Sequence, residues 1–114
     1  MACKQGDVVL IPFPFTDFST LKQRPAVIIS SDAFNRSHSD AIIMAITSHL
    51  PAKSSKEDII LDNSAQKSAG LPKVSLIKVG KIVTIDQRLI RRKLGHLPAY
   101  ILKIIRTRIQ GIFA

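Results

Sequence analysis

The chain is poor in cysteine and in large aromatic residues, with one cysteine, one tyrosine and no tryptophan among 114 residues. The lone thiol, Cys3, excludes an intrachain disulfide, as suits a reducing compartment. With no partner cysteine and no His, Cys, Asp or Glu at ligand spacing, a zinc site is not expected. Acidic residues are scarce too. Eight Asp and Glu face 17 Lys and Arg, a formal net charge of +9. That balance points to a polyanionic partner: nucleic acid, an acidic protein or an anionic membrane surface. No apolar run approaches the ~18 residues that a membrane span needs. No glycine-rich phosphate loop and no serine nucleophile elbow is found. The N-terminal MACKQGDVV carries no cleavable leader pattern, so a cytoplasmic protein is expected.

The chain is 46% hydrophobic, enough for a real core and against disorder. Its length fits one domain spanning 1–114. Branched and aromatic residues predict strands over 8–13, 26–30 and 41–48, and a short one over 58–61. Pro12 and Pro14 cannot donate to a ladder, so the first strand ends there or lies at an edge. The stretch 31–40 is polar, with Ser31 or Asp32 able to cap one helical turn. The stretch 63–70 is a turn of helix or irregular. Residues 74–79 and 81–85 form two strands, or one long bent strand with Gly80 at a bulge. A last strand is expected over 90–97. Pro98 then opens a helix, placed where no backbone donor is needed. Ile101, Leu102, Ile104, Ile105, Ile109 and Ile112 give that helix one broad apolar face. Many short strands and one terminal helix predict a mainly β fold: a small, strongly bent antiparallel barrel partly covered by the helix.

Three residues stand where chemistry is possible. Arg24, just before Pro25 at the mouth of an apolar strand, offers a planar fork of donors that fits phosphate. Its other reading is an ion pair with a loop carboxylate such as Asp17. Thr47 closes the strand of AIIMAITSHL and can donate to a phosphate oxygen, or is simply a β-branched strand residue. His49, two residues on, shares its face if the strand persists. It is then suited to proton transfer, or is an exposed loop histidine. Basic residues gather at Lys78, Lys81, Arg88, Arg91, Arg92 and Lys93, then at Lys103, Arg106 and Arg108. They form an anion footprint or a solvated face.

The segments GDVVLIPFPF, QRPAVIIS, AFN, AITS and KIVTIDQRLIRRKLGHL, in this order and spacing, resemble the MazF/PemK family of toxin endoribonucleases (mRNA interferases). The resemblance implies an SH3-like small barrel of the CcdB/PemK type with a C-terminal helix, usually paired as a homodimer. It implies the toxin of a type II toxin–antitoxin system, cutting single-stranded RNA at short motifs without metal or cofactor. The attacking group would be the RNA's own 2′-hydroxyl, leaving 2′,3′-cyclic phosphate and 5′-hydroxyl ends. The partner would be an acidic, partly disordered antitoxin. The family's catalytic arginine falls on Arg24 and its catalytic threonine on Thr47. RNA contacts are expected from Phe15, Lys22, Gln23, Asn35, Ser48, His49 and Lys53, in and beside the loops flanking the groove. The segment DFSTLKQR lacks the glutamate that many members carry before the arginine; Ser19 stands there, so that group's acid–base role is not carried over. The competing reading is a non-catalytic toxin or binding module of the same fold, such as a gyrase-type poison.

Overall fold

The computed structural model describes residues 2–12, 22–53 and 55–114. The expected contact Phe15, the loop carboxylate Asp17 and the Ser19 position lie outside them. Strands β1 (Asp7–Pro12), β2 (Gln23–Ile28), β3 (Asp40–Thr47), β4 (Ile59–Ile60), β5 (Leu76–Asp86) and β6 (Arg92–His96) form one sheet. Its order is β4-β5-β3-β2-β1-β6, and each pair is antiparallel. The sheet curls into a half-barrel, and helix α3 (Ala99–Ile112) packs on it. Two short helices, α1 (Asp32–Ser37) and α2 (Asn63–Ser68), sit in the connections.

β1, β3 and the second half of β2 are largely buried on both faces, which is why these strands read as continuous apolar runs rather than alternating ones. On β3, Met44 and Ile46 enter one core cluster, and Ala41 and Ile43 the other. The first cluster is closed by Ile101 and Ile105 of α3, with Leu102, Ile104 and Ile109 packed against it. Full burial of one such isoleucine contributes roughly 1.5–3 kcal/mol, so this helix face anchors the barrel. The periodicity of α3 is as expected, except that Ile112 is 37% exposed. Pro98 is the N-cap rather than the first helical residue, and its carbonyl accepts from the Ile101 and Leu102 N–H groups.

Two boundaries differ from expectation. β2 begins at Gln23, three residues before the anticipated start, and takes Pro25 into the strand. Residues 23–25 pair only with β1, since the described β2–β3 register begins at Ala26. Pro25 therefore lies where one side carries no ladder, and its missing N–H costs no bond there. β6 starts later than expected, because Ile90 is the C-cap of a 3-10 turn, Gln87–Leu89, and its N–H donates to the Gln87 carbonyl at 3.1 Å. Gln87 explains that turn: its amide donates to the carbonyls of Asn35, His38 and Asp40 at 2.8–3.0 Å. Ser31, not Asp32, caps α1, accepting from the Phe34 N–H at 3.1 Å. The stretch 63–70 does hold a helix, capped by Asp62, which accepts from the Ala65 N–H at 2.8 Å.

β5 is one long bent strand. Met44 opposes Ile82 but Ile46 opposes Ile77, so Ala45 alone faces residues 78–81. Gly80 stands in this bulge, exposed and with open space around it. A bulge of this kind bends the strand, sharpens the local twist and re-aims side chains.

Candidate active site

Thr47 ends β3, half-buried, and pairs with Leu76 of β5. Ala26 opposes Ala45 across β2 and β3. The described ladder pairing between β2 and β3 stops at that pair, but Arg24 and Thr47, each two residues beyond it on its own strand, keep the face of Ala26 and Ala45 by period-two alternation. Period-two alternation puts Lys78 on that face as well, two residues beyond Leu76. A cavity of about 270 Å³ opens at this place, and Arg24, Thr47, His49, Pro51, Lys78 and Lys81 line it. The bulge brings both lysines in, since it gathers residues 78–81 opposite a single residue of β3.

The Thr47 hydroxyl oxygen accepts from the His49 backbone N–H at 3.0 Å. Accepting there leaves its own O–H to donate, which is the polarity a phosphate oxygen needs. The same bond turns the chain so that His49 comes back to the cavity wall although β3 has ended. Arg24 is exposed, and its Nη1 donates to the Gln23 carbonyl at 3.2 Å. A guanidinium, two ammonium groups, a hydroxyl and an imidazole around one small opening make an anion site with a hydrogen-bond donor and a proton carrier.

The other expected RNA contacts are scattered. Lys22 and Gln23 are exposed just before and at the start of β2. Ser48 is exposed between Thr47 and His49 but does not line the cavity. Lys53 lines a second, adjoining cavity of about 540 Å³ that shares Pro51, Lys78 and Lys81 with the first. Asn35 is a correction. It lies on α1, is 1% exposed, and its amide nitrogen donates to the carbonyls of Cys3 and Ser30 at 3.2 and 3.1 Å. Its amide oxygen accepts from the Ser30 hydroxyl. A buried amide with these bonds ties the N-terminal segment to α1 and presents nothing to RNA.

Lys78 and Lys81 are the site residues that sequence reasoning left in a general basic cluster. Their signal was the KVGK spacing around the anticipated bulge glycine. The remaining histidines serve the fold: His38 stacks on Phe34 with ring centroids 4.0 Å apart, and His96 meets Asp7 at 3.1 Å. Asp7 is buried. Burial by itself raises its pKa, but the Lys4 backbone N–H and the His96 and Lys93 side chains outweigh it and hold the carboxyl below its ordinary value. Among the described residues, no group of three or more His, Cys, Asp or Glu is placed to hold a metal ion. No helix of the described residues is long and apolar enough to cross a membrane.

The described strands form a six-stranded antiparallel half-barrel closed by a C-terminal helix, the fold seen in solved MazF structures. The chain belongs to the PemK-like, MazF-like toxins of type II toxin–antitoxin systems, whose family model matches residues 4–113. Among solved structures, it is similar to an endoribonuclease in complex with its cognate antitoxin from a mycobacterial species (TM-score 0.78, 17% identity, 98% of this chain and 95% of that one covered). It is also similar to a MazE–MazF complex from Deinococcus radiodurans, with TM-score 0.76 and 20% identity over 100% of this chain and 97% of that one. The Mycobacterium tuberculosis toxin MazF-mt6 matches with TM-score 0.75 and 17% identity, over 94% and 95% of the two chains. At these identities the likeness is one of fold. No curated protein sequence matches the chain significantly.

Proposed function

We propose that this chain is a toxin endoribonuclease that cleaves single-stranded RNA at short sequence motifs, with 1–114 acting as a single toxin domain. The observation that carries this reading is the cavity gathering Arg24, Thr47, His49, Lys78 and Lys81 at the open end of β2 and β3. Single-stranded RNA carries its own nucleophile in the 2′-hydroxyl beside each phosphate. The oxygen attacks the phosphorus, the bond to the 5′-oxygen breaks, and a 2′,3′-cyclic phosphate and a 5′-hydroxyl result. The protein's tasks are to align the attack and to stabilise charge on the phosphoryl oxygens. Arg24 clamps the nonbridging oxygens, and Thr47 donates its hydroxyl proton to one of them. His49 moves protons between the attacking and leaving oxygens, the role that the absent loop glutamate leaves open. Lys78 and Lys81 hold the flanking phosphates, while Gln23, Ser48, Lys22 and Lys53 border the path of the strand.

The partners of this toxin are its RNA substrate, a second copy of the chain and an antitoxin. A domain of this size has a limited core, and pairing adds buried area. The net charge of +9 is complemented by an acidic antitoxin segment, and the family and the solved antitoxin complexes support such a partner. The place of action is the cytoplasm, where single-stranded messenger RNA is exposed.

The test is incubation of purified protein with a long single-stranded RNA in excess EDTA, followed by end mapping. The expected result is cleavage at a recurring short motif, with cyclic phosphate on the upstream fragment. Arg24→Ala and Thr47→Ala should each lower the rate by about 10²–10³, the usual cost of losing a donor to transition-state charge, while circular dichroism shows an intact fold. A folded Arg24→Ala protein that cleaves at the wild-type rate overturns the assignment. No cleavage across many RNAs, or cleavage only after metal is restored, overturns the reaction as written. In the first case a binding toxin takes its place.

A further inference from the structure

The chain from the end of β3 to β4 borders both cavities: Thr47, His49 and Pro51 at the first, and Pro51, Lys53, Ser55, Glu57 and Asp58 at the second. Its far end is secured by β4, a strand of two residues paired to Ile77 and Leu76. Between these points lies a short turn, in which the Asp58 N–H donates to the Ser55 carbonyl at 3.1 Å. One side chain from a distant element holds that turn. The Nη1 of Arg108, on α3, donates to the carbonyls of Lys56, Glu57 and Asp58 at 2.8, 3.1 and 3.1 Å. Three successive carbonyls converge on one guanidinium nitrogen. Ile112, one helical turn beyond Arg108, lines the same cavity. The wall of the second cavity is therefore keyed to α3, whose own position is set by the packing of Ile101 and Ile105 in the core.

We propose that Arg108 is a positioning residue that holds the 55–58 turn in place and so shapes the second cavity into the pocket for a nucleotide flanking the cleaved phosphate. The inference rests on the ribonuclease reading above. The geometry fits a nucleotide in two ways. The cavity shares Lys78 and Lys81 with the phosphate site, so a strand crossing the first cavity continues into the second. Glu57 and Asp58 on its wall offer carboxylate acceptors, the groups that take hydrogen bonds from the amino and imino edges of bases. An acceptor reads a base only if its carbon frame is fixed, and Arg108 fixes it without touching the substrate.

The experiment compares wild type with Arg108→Met and Arg108→Lys. Cleavage kinetics and cleavage-site preference are measured on a random-sequence RNA pool. Thermal unfolding is followed in parallel. Binding is measured on a labelled 2′-deoxy pool of the same sequences, which lacks the nucleophile. In folded Arg108→Met, KM should rise about tenfold, the loss expected for hydrogen bonds made by a charged donor. Its kcat should be nearly unchanged, and its preference beside the cut should broaden. Arg108→Lys, which keeps a charged donor on a long stem, should lie between the two. A folded Arg108→Met with wild-type KM and preference overturns the inference, and so does a fall in kcat with KM unchanged. If Arg108→Met does not fold, Arg108→Lys decides by the same readouts. If the wild type cuts no RNA, the ribonuclease reading fails on its own. Binding to the 2′-deoxy pool then decides for Arg108 as the residue that shapes a nucleotide pocket, without a cleaved phosphate beside it: weakened binding in the variants supports that role, and unchanged binding overturns it.

Discussion

Lys78 and Lys81 separate two roles that a basic chain mixes together. A lysine is a point charge on a flexible stem, able to hold a phosphate but poor at fixing its geometry, whereas Arg24 offers a rigid fork. The two lysines should therefore contribute affinity and salt dependence, and Arg24 rate. Replacing Lys78 and Lys81 together by alanine is expected to weaken binding to single-stranded RNA and to flatten the plot of log K against log salt. The slope should fall by roughly 0.7 for each phosphate that is no longer neutralised, with the cleavage motif unchanged. Fluorescence anisotropy across a salt series checks this. An unchanged slope would place the lysines off the path of the strand. Asn35 shows the opposite case. Its type suited base recognition, and only its burial and its bonds to Cys3 and Ser30 reveal that it is spent on the fold.

The close seating of α2 on β6 depends on a missing side chain. Gly95 lies on β6 where a Cβ would run into the backbone carbonyl of Ser68 and the end of α2 at Ala69. Backbone cannot swing aside as a flexible side chain can. The seating is reinforced by the Ser68 hydroxyl, which donates to the His96 carbonyl at 2.6 Å. Gly70, with φ +69°, then reverses the chain directly over Leu94. Gly95→Ala should destabilise the fold by about 1–3 kcal/mol, the usual cost of forcing atoms into a packed interior. Urea unfolding would detect this as a lower midpoint. Gly80→Ala, where a Cβ meets open space, serves as the mild control. The β5 bulge itself has no such dependence on Gly80, whose φ lies outside the left-handed region. The mismatch of register between β3 and β5 makes the bulge.

Charge acts on the protein as a unit through pH as well as through partners. Asp7, buried at the start of β1, is held below its ordinary pKa in the folded chain despite its burial. A depressed carboxylate binds fewer protons folded than unfolded, so stability rises with pH across that interval. The contribution is fully present above the unfolded value of 3.8 and is lost as pH falls from there through the folded value. Urea unfolding should show stability dropping below about pH 4, and Asp7→Asn should flatten that drop while lowering stability at neutral pH. A variant with the wild-type acid profile would show that other carboxylates carry it. Asp62, exposed, and Asp86, half-buried, are also held low by their hydrogen bonds and, being more open to solvent than Asp7, should contribute less.

The strands, the terminal helix and the basic character were legible in the order of residues, because they follow from local rules: branched runs, proline placement, helical spacing and counted charge. Arg24 and Thr47 were visible as candidates for the same reason, each an unusual residue at the end of an apolar run. Their meeting was not. It depends on the β2–β3 register, set by which apolar residues can be buried on both faces of a curled sheet. The capture of Lys78 and Lys81 depends on a bulge flanked by pairs, Ile46 with Ile77 and Met44 with Ile82, whose members lie more than thirty residues apart in sequence. The start of β2 moved because pairing with β1 outweighed the proline, and Asn35 left the site because α1 folded it inward. In each case the deciding interaction is long-range, so tertiary structure alone settled which neighbours these side chains have.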